Sequence, residues 1–398
     1  MIKSRGRGPT LAKDINRKLI YNLIKQKQST SRIEISKISK LNKNTVNTIV
    51  DELIQAGFVR DKGQKQTIGA GRKPTIIEFQ ANNKWALGVN ISSSVIHFTV
   101  TDLYAHPMNT FSIPIEQPMP ETVIAIIKSS LDRITNTYSL EHCIGMGVGI
   151  PGLINKDLKQ VIQSSHLSWK EVPIISKLKK EIQIDHIILD NSVKLATLGE
   201  LWHGAGQGVG NFIYCNFGNG IGCGLISDNT LIRGENNAAG ELGHVIIDSQ
   251  GPKCVCGNYG CLETFVGLPF IFERLSEKCS ISKEQITMEW IMEELVAGNK
   301  IVISELEQVG DAIGQSLSHI INLLNPKLII CDGPLMEAAS FLFPIIERKI
   351  KNNSVSLLAQ QVNLKRSHLY PLAGSIGAAA STIESWENEI DPYDLVTV

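Results

Sequence analysis

The chain has 398 residues, 43% hydrophobic and 20% charged, which excludes a disordered polyelectrolyte and leaves room for two or three folded domains. The formal net charge of zero hides an asymmetry, because residues 1–80 hold 17 Lys and Arg against 6 Asp and Glu, giving +11 there and −11 in the remainder. A basic N-terminal domain on an acidic body is expected where one end meets a polyanion and the other does not.

The first nine residues, M-I-K-S-R-G-R-G-P, are expected to be disordered until an anionic partner is near. Leu19, Ile20, Leu23 and Ile24 then recur at helical spacing, and S-T-S-R-I-E-I-S-K-I opens a second helix with Ser31 as N-cap and Glu34 three residues on. A turn at 39–42 leads into a third helix whose buried stripe is Val46, Ile49, Val50 and Leu53. Lys43, Asn44, Asn47 and Thr48 are left facing outward near its N-terminal end, the residue types and the helix end that read base edges and phosphates in a major groove. Gly57 ends this helix, and 59–79 reads as a hairpin whose tip, G-A-G-R-K-P, presents Arg72 and Lys73 to phosphates or a minor groove. Together, residues 1–80 resemble the winged helix-turn-helix of bacterial repressors, which implies binding to double-stranded operator DNA; the alternative is a three-helix protein-interaction module, which the basic surplus disfavours.

From about residue 84 strands alternate with long helices. A-L-G-V-N-I-S and V-I-H-F-T-V-T-D-L form a strand pair, I-G-M-G-V-G-I-P-G-L-I runs into a glycine loop, and H-I-I-L-D-N ends in polar residues. F-I-Y-C-N-F-G-N-G-I-G-C-G-L-I and K-L-I-I-C-D-G-P repeat the scheme, with helices such as 119–138 and 306–325 between, which predicts an α/β fold of more than one sheet.

Eighteen residues, 244–261, hold one imidazole and three thiols, His244, Cys254, Cys256 and Cys261. This is a complete Cys₃His set, and Gly257 and Gly260 let the backbone turn tightly enough for the ligands to converge. Four protein ligands leave no open position for water, so one structural zinc per chain is expected. The five other cysteines stand singly in apolar stretches, and no secretory signal or membrane-spanning run is evident, which fits a reducing cytoplasm and no membrane partner.

G-I-P-G-L-I (149–154), the glycine loop 218–224, A-G-E-L-G-H (239–244) and C-x-C-G-x-x-G-C-x-E (254–263) together resemble the ROK family. The resemblance implies a two-lobed actin-like, ribonuclease H-like domain, with 81–190 and 371–398 in the first lobe and 191–370 in the second. The fused winged helix points to the repressor branch, and the general run of the sequence looks most like bacterial xylose repressors. By the same resemblance Asn191, Glu241, His244 and Glu263 converge on a sugar between the lobes, with His244 using one ring nitrogen for zinc and the other for a sugar hydroxyl.

The kinases of the family carry Asn-Asp where this chain has Asn191 and Ser192, and Asp-x-Gly-Gly-Thr where it has Asn90, Ile91, Ser92, Ser93 and Ser94. A serine with an ordinary hydroxyl is no general base, and side chains at 92–94 would crowd a nucleotide phosphate. No catalytic residue is therefore expected; the chain reads as a sugar-responsive repressor, a homodimer or tetramer, that leaves its operator when xylose or another free aldose binds. The alternative is an active ATP-dependent sugar kinase with an attached DNA-binding domain, which would need Asp190 as substitute base. Control by a protein partner would require an apolar patch near the cysteine loop, and His166 and Ser192 are departures within the pocket that leave room for a regulator without an effector.

Overall fold

The computed structural model describes residues 9–64, 75–156 and 158–389. The expectation of disorder over the first nine residues lies outside the described residues except at Pro9, which opens the first helix, and the expectation for the wing tip with Arg72 and Lys73 lies outside them altogether.

Three helices, Pro9–Lys27, Arg32–Ser39 and Lys43–Gln55, pack against a three-stranded sheet in the order Ser29–Ser31, Thr75–Phe79, Val59–Gln64. The caps are local: Ser31 Oγ accepts the Glu34 N–H at 3.3 Å and Asn42 Oδ1 accepts the Thr45 N–H at 2.8 Å. Glu34 turns its carboxylate to the Thr30 hydroxyl at 3.0 Å instead of back to its cap. The first helix buries Ile20, Tyr21 and Ile24, whereas Leu19 is 39% exposed. Its inward face is completed by Arg17, which is buried and donates to Glu52 Oε2 at 2.7 Å, tying the first helix to the third.

Each lobe of the body holds a five-stranded sheet. In the first, the order is Ile187–Asn191, Cys143–Ile150, Trp85–Ile91, Val95–Thr101, Pro107–Pro114; in the second it is Thr230–Leu231, Ile221–Ser227, Phe212–Phe217, Leu328–Asp332, Asn363–Arg366. Both contain an antiparallel three-strand meander whose first strand is extended on its other side by two parallel strands, so one topology occurs twice. Strands with a continuous apolar run, such as Leu328–Asp332 with only its last residue polar, are buried along their whole length and fit these central parallel positions. The long helix of the second lobe is Lys300–Leu324, starting earlier than its apolar periodicity suggests because Asn299 Oδ1 caps it at the Ile301 N–H, 2.9 Å. A further three-stranded sheet, Leu153–Asn155, Gln160–Ser164 and Trp169–Val172, follows the G-I-P-G loop; its short strands give no periodicity to read.

Between the lobes two helices cross, Ser192–His203 and Ala373–Glu389. Gly199 and Gly377 allow it: a Cβ on Gly377 would stand 1.7 Å from the Leu195 carbonyl oxygen, and one on Gly199 2.4 Å from that of Ala373.

The winged helix is seated directly on the body. Ile20, Tyr21, Ile24, Phe58 and Phe79 share one apolar cluster with Leu103, Ala105, Ile144, Ala379 and Ile383, and Trp202 and Trp386 pack against it. Polar contacts frame the seat: Tyr21 Oη and Lys25 Nζ donate to Glu387 Oε1 at 2.8 and 2.6 Å, and Tyr104 Oη donates to the Lys25 carbonyl at 2.8 Å.

Candidate functional site

At the start of the third helix Lys43, Asn44, Asn47 and Thr48 are exposed, opposite the buried Val46, Ile49, Val50 and Leu53. Thr48 Oγ1 donates to the Asn44 carbonyl at 3.0 Å, while the side chains of Lys43, Asn44 and Asn47 stand in solvent. Arg32, from the preceding helix, donates to the Asn47 carbonyl at 3.4 Å and pairs with Asp51 at 2.7 Å, adding a cation beside the same face. That arginine was not among the sequence candidates, since its place beside the third helix follows only from packing.

The second candidate site lies where the lobes meet. Asn191 ends a first-lobe strand and caps the Ser192–His203 helix: its Oδ1 accepts the Val193 and Lys194 N–H groups at 2.9 and 3.2 Å, and its Nδ2 donates to the Gly152 carbonyl at 2.9 Å. One amide hydrogen remains for a ligand. Glu263 is 7% exposed and accepts the Ile221 N–H at 3.0 Å, so one carboxylate oxygen is committed to the second-lobe hairpin. Glu241 is exposed at the end of the loop before the short helical turn Leu242–His244. His166, on the turn between two strands of the small added sheet, reaches the same place; a Cβ on Gly220 would lie 2.4 Å from His166 Nε2 and 3.1 Å from Glu263 Oε2. A side chain at 220 would have to displace one of these two. Across the junction Asn219 Nδ2 donates to Ser93 Oγ at 3.4 Å.

Asn90 and Ser192 stand on either side of Gly149, whose Cβ would meet Asn90 Oδ1 at 2.7 Å and Ser192 Cα at 3.5 Å. Asn90 Oδ1 is buried and without a hydrogen-bond partner among the described residues. Ser92 uses its hydroxyl to close its own turn, donating to the Val95 carbonyl at 2.8 Å and accepting the Val95 N–H at 3.1 Å. Asp190 is 1% exposed and holds Lys156 Nζ and Arg233 Nη1 at 2.7 and 2.6 Å. Burial alone would raise its pKa, but the two cations hold it below the ordinary carboxylate value, which unfits it as a proton acceptor at neutral pH. Lys156, Lys194, Arg233 and Asn237 around it were not foreseen; their only sequence signal is their nearness to the G-I-P-G-L-I, D-N-S and A-G-E-L-G-H motifs.

His244, Cys254, Cys256 and Cys261 come together, with all four ligand atoms within 4.8 Å of one another. The closest pairs are His244 Nδ1 to Cys254 Sγ at 3.5 Å and Cys256 Sγ to Cys261 Sγ at 3.6 Å. A tetrahedral ion with metal–sulfur bonds of about 2.3 Å needs ligand edges of about 3.5 to 3.8 Å, so the set fits a metal. The turn is shaped by bridges Ile246↔Cys261 and Lys253↔Tyr259 and by the Gly257 N–H donating to the Cys254 carbonyl at 3.0 Å. Nδ1 of His244 faces the thiols, which leaves Nε2 as the other ring nitrogen. Helix Leu262–Val266 starts immediately after Cys261 and carries Glu263, so the cluster and the cleft share one rigid segment.

Comparison with known proteins agrees with this architecture. The ROK family model matches residues 86–384, and a winged helix-turn-helix DNA-binding model matches residues 13–60. The chain is 30% identical over 373 residues to the xylose repressor of Caldicellulosiruptor bescii, covering 89% of this chain and 92% of the relative. It is 26% identical over 367 residues to the DNA-binding transcriptional dual regulator NagC of Escherichia coli, covering 90% of each. A crystal structure of a ROK family transcriptional regulator, a homologue of the E. coli MLC protein, superposes with a TM-score of 0.81 at 26% identity, covering 97% of this chain and all of that one. The ROK glucokinase of Streptomyces griseus, solved with glucose and AMPPNP, superposes on 74% of this chain and 98% of its own with a TM-score of 0.67 at 21% identity, a likeness of fold. With a winged helix seated on two lobes of repeated topology, the chain belongs to the ROK family.

Proposed function

We propose that this protein is a sugar-responsive transcriptional repressor that binds operator DNA through Lys43, Asn44, Asn47 and Thr48, with Arg72 and Lys73 on the wing, and takes a free aldose, xylose first among them, between its lobes. The observation that carries the reading is mechanical. The helix Ser192–His203 begins at the Asn191 cap in the cleft and ends at Trp202 and His203, where Trp202 packs on the cluster that seats the winged helix. His203 meets the His106 ring at 5.2 Å, beside Tyr104, which holds the Lys25 carbonyl. A change of lobe angle at one end therefore moves the support of the DNA-binding domain at the other.

In this reading 1–80 is the DNA-binding domain, 81–190 with 371–398 the first lobe and 191–370 the second, the boundary falling at Asn191, the last residue of a first-lobe strand. Asn191, Glu241, His244 Nε2 and Glu263 hold the sugar hydroxyls, and a missing hydroxyl leaves a buried carboxylate unpaired, which makes selection sharp. Zinc, held by His244, Cys254, Cys256 and Cys261, is structural and fixes Glu263 and the imidazole relative to each other. Kinase chemistry has no base: Ser192 is a hydroxyl, Asn90 an amide, and Asp190 is neutralised by Lys156 and Arg233. Two copies on a pseudo-palindromic operator, with half-sites about one helical turn or a multiple apart, would lose register when sugar shifts one winged helix against the other.

Calorimetric titration of the zinc-loaded protein with xylose, glucose and N-acetylglucosamine, with and without ATP and magnesium, tests it alongside operator binding. Saturable binding of one sugar, release of the operator by that sugar, and loss of both in Glu241→Ala are expected. Continuous heat with ADP formation would replace this reading with a kinase. Control by a protein partner has one observation in its favour: Val255, Tyr259 and Ile246 around the cysteine loop are 72%, 55% and 49% exposed. Val255→Glu leaves the sugar response intact if the sugar is the signal.

A further inference from the structure

Asp190 joins the two lobes. It is the last residue but one of the first-lobe strand Ile187–Asn191, and Lys156 reaches its Oδ2 from the same lobe at 2.7 Å. The second cation, Arg233, comes from the segment after the second-lobe strand Thr230–Leu231 and donates to the same oxygen at 2.6 Å. On the other oxygen Asn237 Nδ2 donates at 3.0 Å and the Asn191 N–H at 2.8 Å. Arg233 also donates to Asn237 Oδ1 at 3.0 Å, and the buried Lys194 ammonium donates to the Asn237 carbonyl. Every hydrogen-bonding direction of the carboxylate is thus spent, half of it on residues of the opposite lobe.

A buried ion pair is a poor device for stability, because desolvation consumes most of the Coulombic gain, but it enforces one geometry. The geometry enforced here is that of the 233–241 loop. Its first half is held on the first lobe by Arg233 and Asn237, and the Ala239 N–H closes the turn on the Arg233 carbonyl at 2.9 Å. Its end lies close against the second-lobe strand Ile221–Ser227 at Gly240, which has φ +98 and where a Cβ would stand 2.0 Å from the Cys223 carbonyl oxygen. Glu241 is the next residue, exposed, with its backbone direction set by these two anchors.

We propose that Asp190, Arg233 and Asn237 form an interlobe latch that positions Glu241 for the bound ligand and limits how far the lobes open. The three are positioning residues, acting through Glu241, and the proposal rests on the reading of the cleft as a sugar site. Arg233 is the residue to change, since its side chain is 32% exposed and its loss leaves Asp190 paired with Lys156.

The test uses the full-length, zinc-loaded protein with Arg233→Met and Arg233→Lys, each checked for an unchanged melting profile in the winged helix. The first arm is amide hydrogen exchange without ligand. Arg233→Met is expected to speed exchange across 234–242 by about tenfold or more, and Arg233→Lys to restore most of the protection. Equal exchange in all three proteins overturns the latch, whatever the protein binds. The second arm is titration with xylose. Arg233→Met is expected to raise Kd by about tenfold while operator affinity without sugar stays within about twofold. Adding Glu241→Gln to Arg233→Met should bind no more weakly than Glu241→Gln alone, because the arginine works through that carboxylate. Additive losses would mean direct contact and overturn the positioning role. Failure of the wild type to bind any sugar overturns the functional reading only, and the exchange arm still decides the latch.

Discussion

The two ends of the Ser192–His203 helix are built from different forces. At the cleft end a capping amide, a buried carboxylate and three cations hold the chain by directional bonds, each within 3.2 Å. At the far end Trp202, Phe58 and Trp386 hold it by packing, with the Phe58 and Trp386 rings 6.1 Å apart. Directional bonds define where a ligand's hydroxyls must lie, and an apolar seat tolerates small displacements at little cost, so a switch needs the first kind where it reads and the second where it moves.

The comparison can be broken most severely at the cluster of His244, Cys254, Cys256 and Cys261, which could hold a metal and shares a segment with Glu263. Cys261→Ser, or stripping with a chelator, is expected to abolish metal retention and sugar binding and to unfold the 244–263 segment, since a structural zinc contributes on the order of 10 kcal/mol to a small site. Metal analysis with near-ultraviolet circular dichroism checks this; a chelated protein that still binds sugar would detach the cluster from the cleft. At the moving end Trp386→Ala is expected to destabilise the winged helix by about 3 kcal/mol, read by urea unfolding, while sugar affinity is kept. On the DNA face Asn47→Ala is expected to cost about 1 to 3 kcal/mol at one base pair, and Lys43→Ala to weaken all sequences alike and reduce the salt slope by about one. Binding titrations at several salt concentrations separate the two.

The smallest effect is a pH dependence inside the winged helix. Burial would raise Glu52, but hydrogen bonds from Arg17 and Lys13 lower its pKa below the ordinary 4.5. A depressed folded pKa means stability that is fully present above the unfolded value and is lost as pH falls through the folded one. Wild type should therefore be more stable than Glu52→Gln near pH 6, and the gap should close below about pH 4. A gap that is constant with pH would assign the contact to packing alone.

Much of this architecture is legible in the chain because it is local. The Ser31 cap, the Val46, Ile49, Val50 and Leu53 stripe and the Gly57 stop are readable from neighbouring residues, and 244–261 announces a ligand set because four rare side chains fall so close together. The doubled sheet follows from alternating strands and helices only once the resemblance supplies an order for them. Leu19 illustrates the limit: its spacing is right for a buried face, yet the helix is rolled so that Arg17 and Tyr21 take that place, because Glu52 and Glu387 wait there. No periodicity encodes a partner 366 residues away.

The sequence alone therefore carried the set of elements, the family and the grouping of His244 with three cysteines that could hold a metal, all written in short-range spacing. Tertiary structure alone decided that Asn191 spends its amide on capping a helix, that His166 enters the cleft from a small added sheet, and that Arg233 and Asn237 cross between lobes to Asp190. Those arrangements depend on the close crossing at Gly199 and Gly377, which brings distant strand ends to one place and sets which charges can meet.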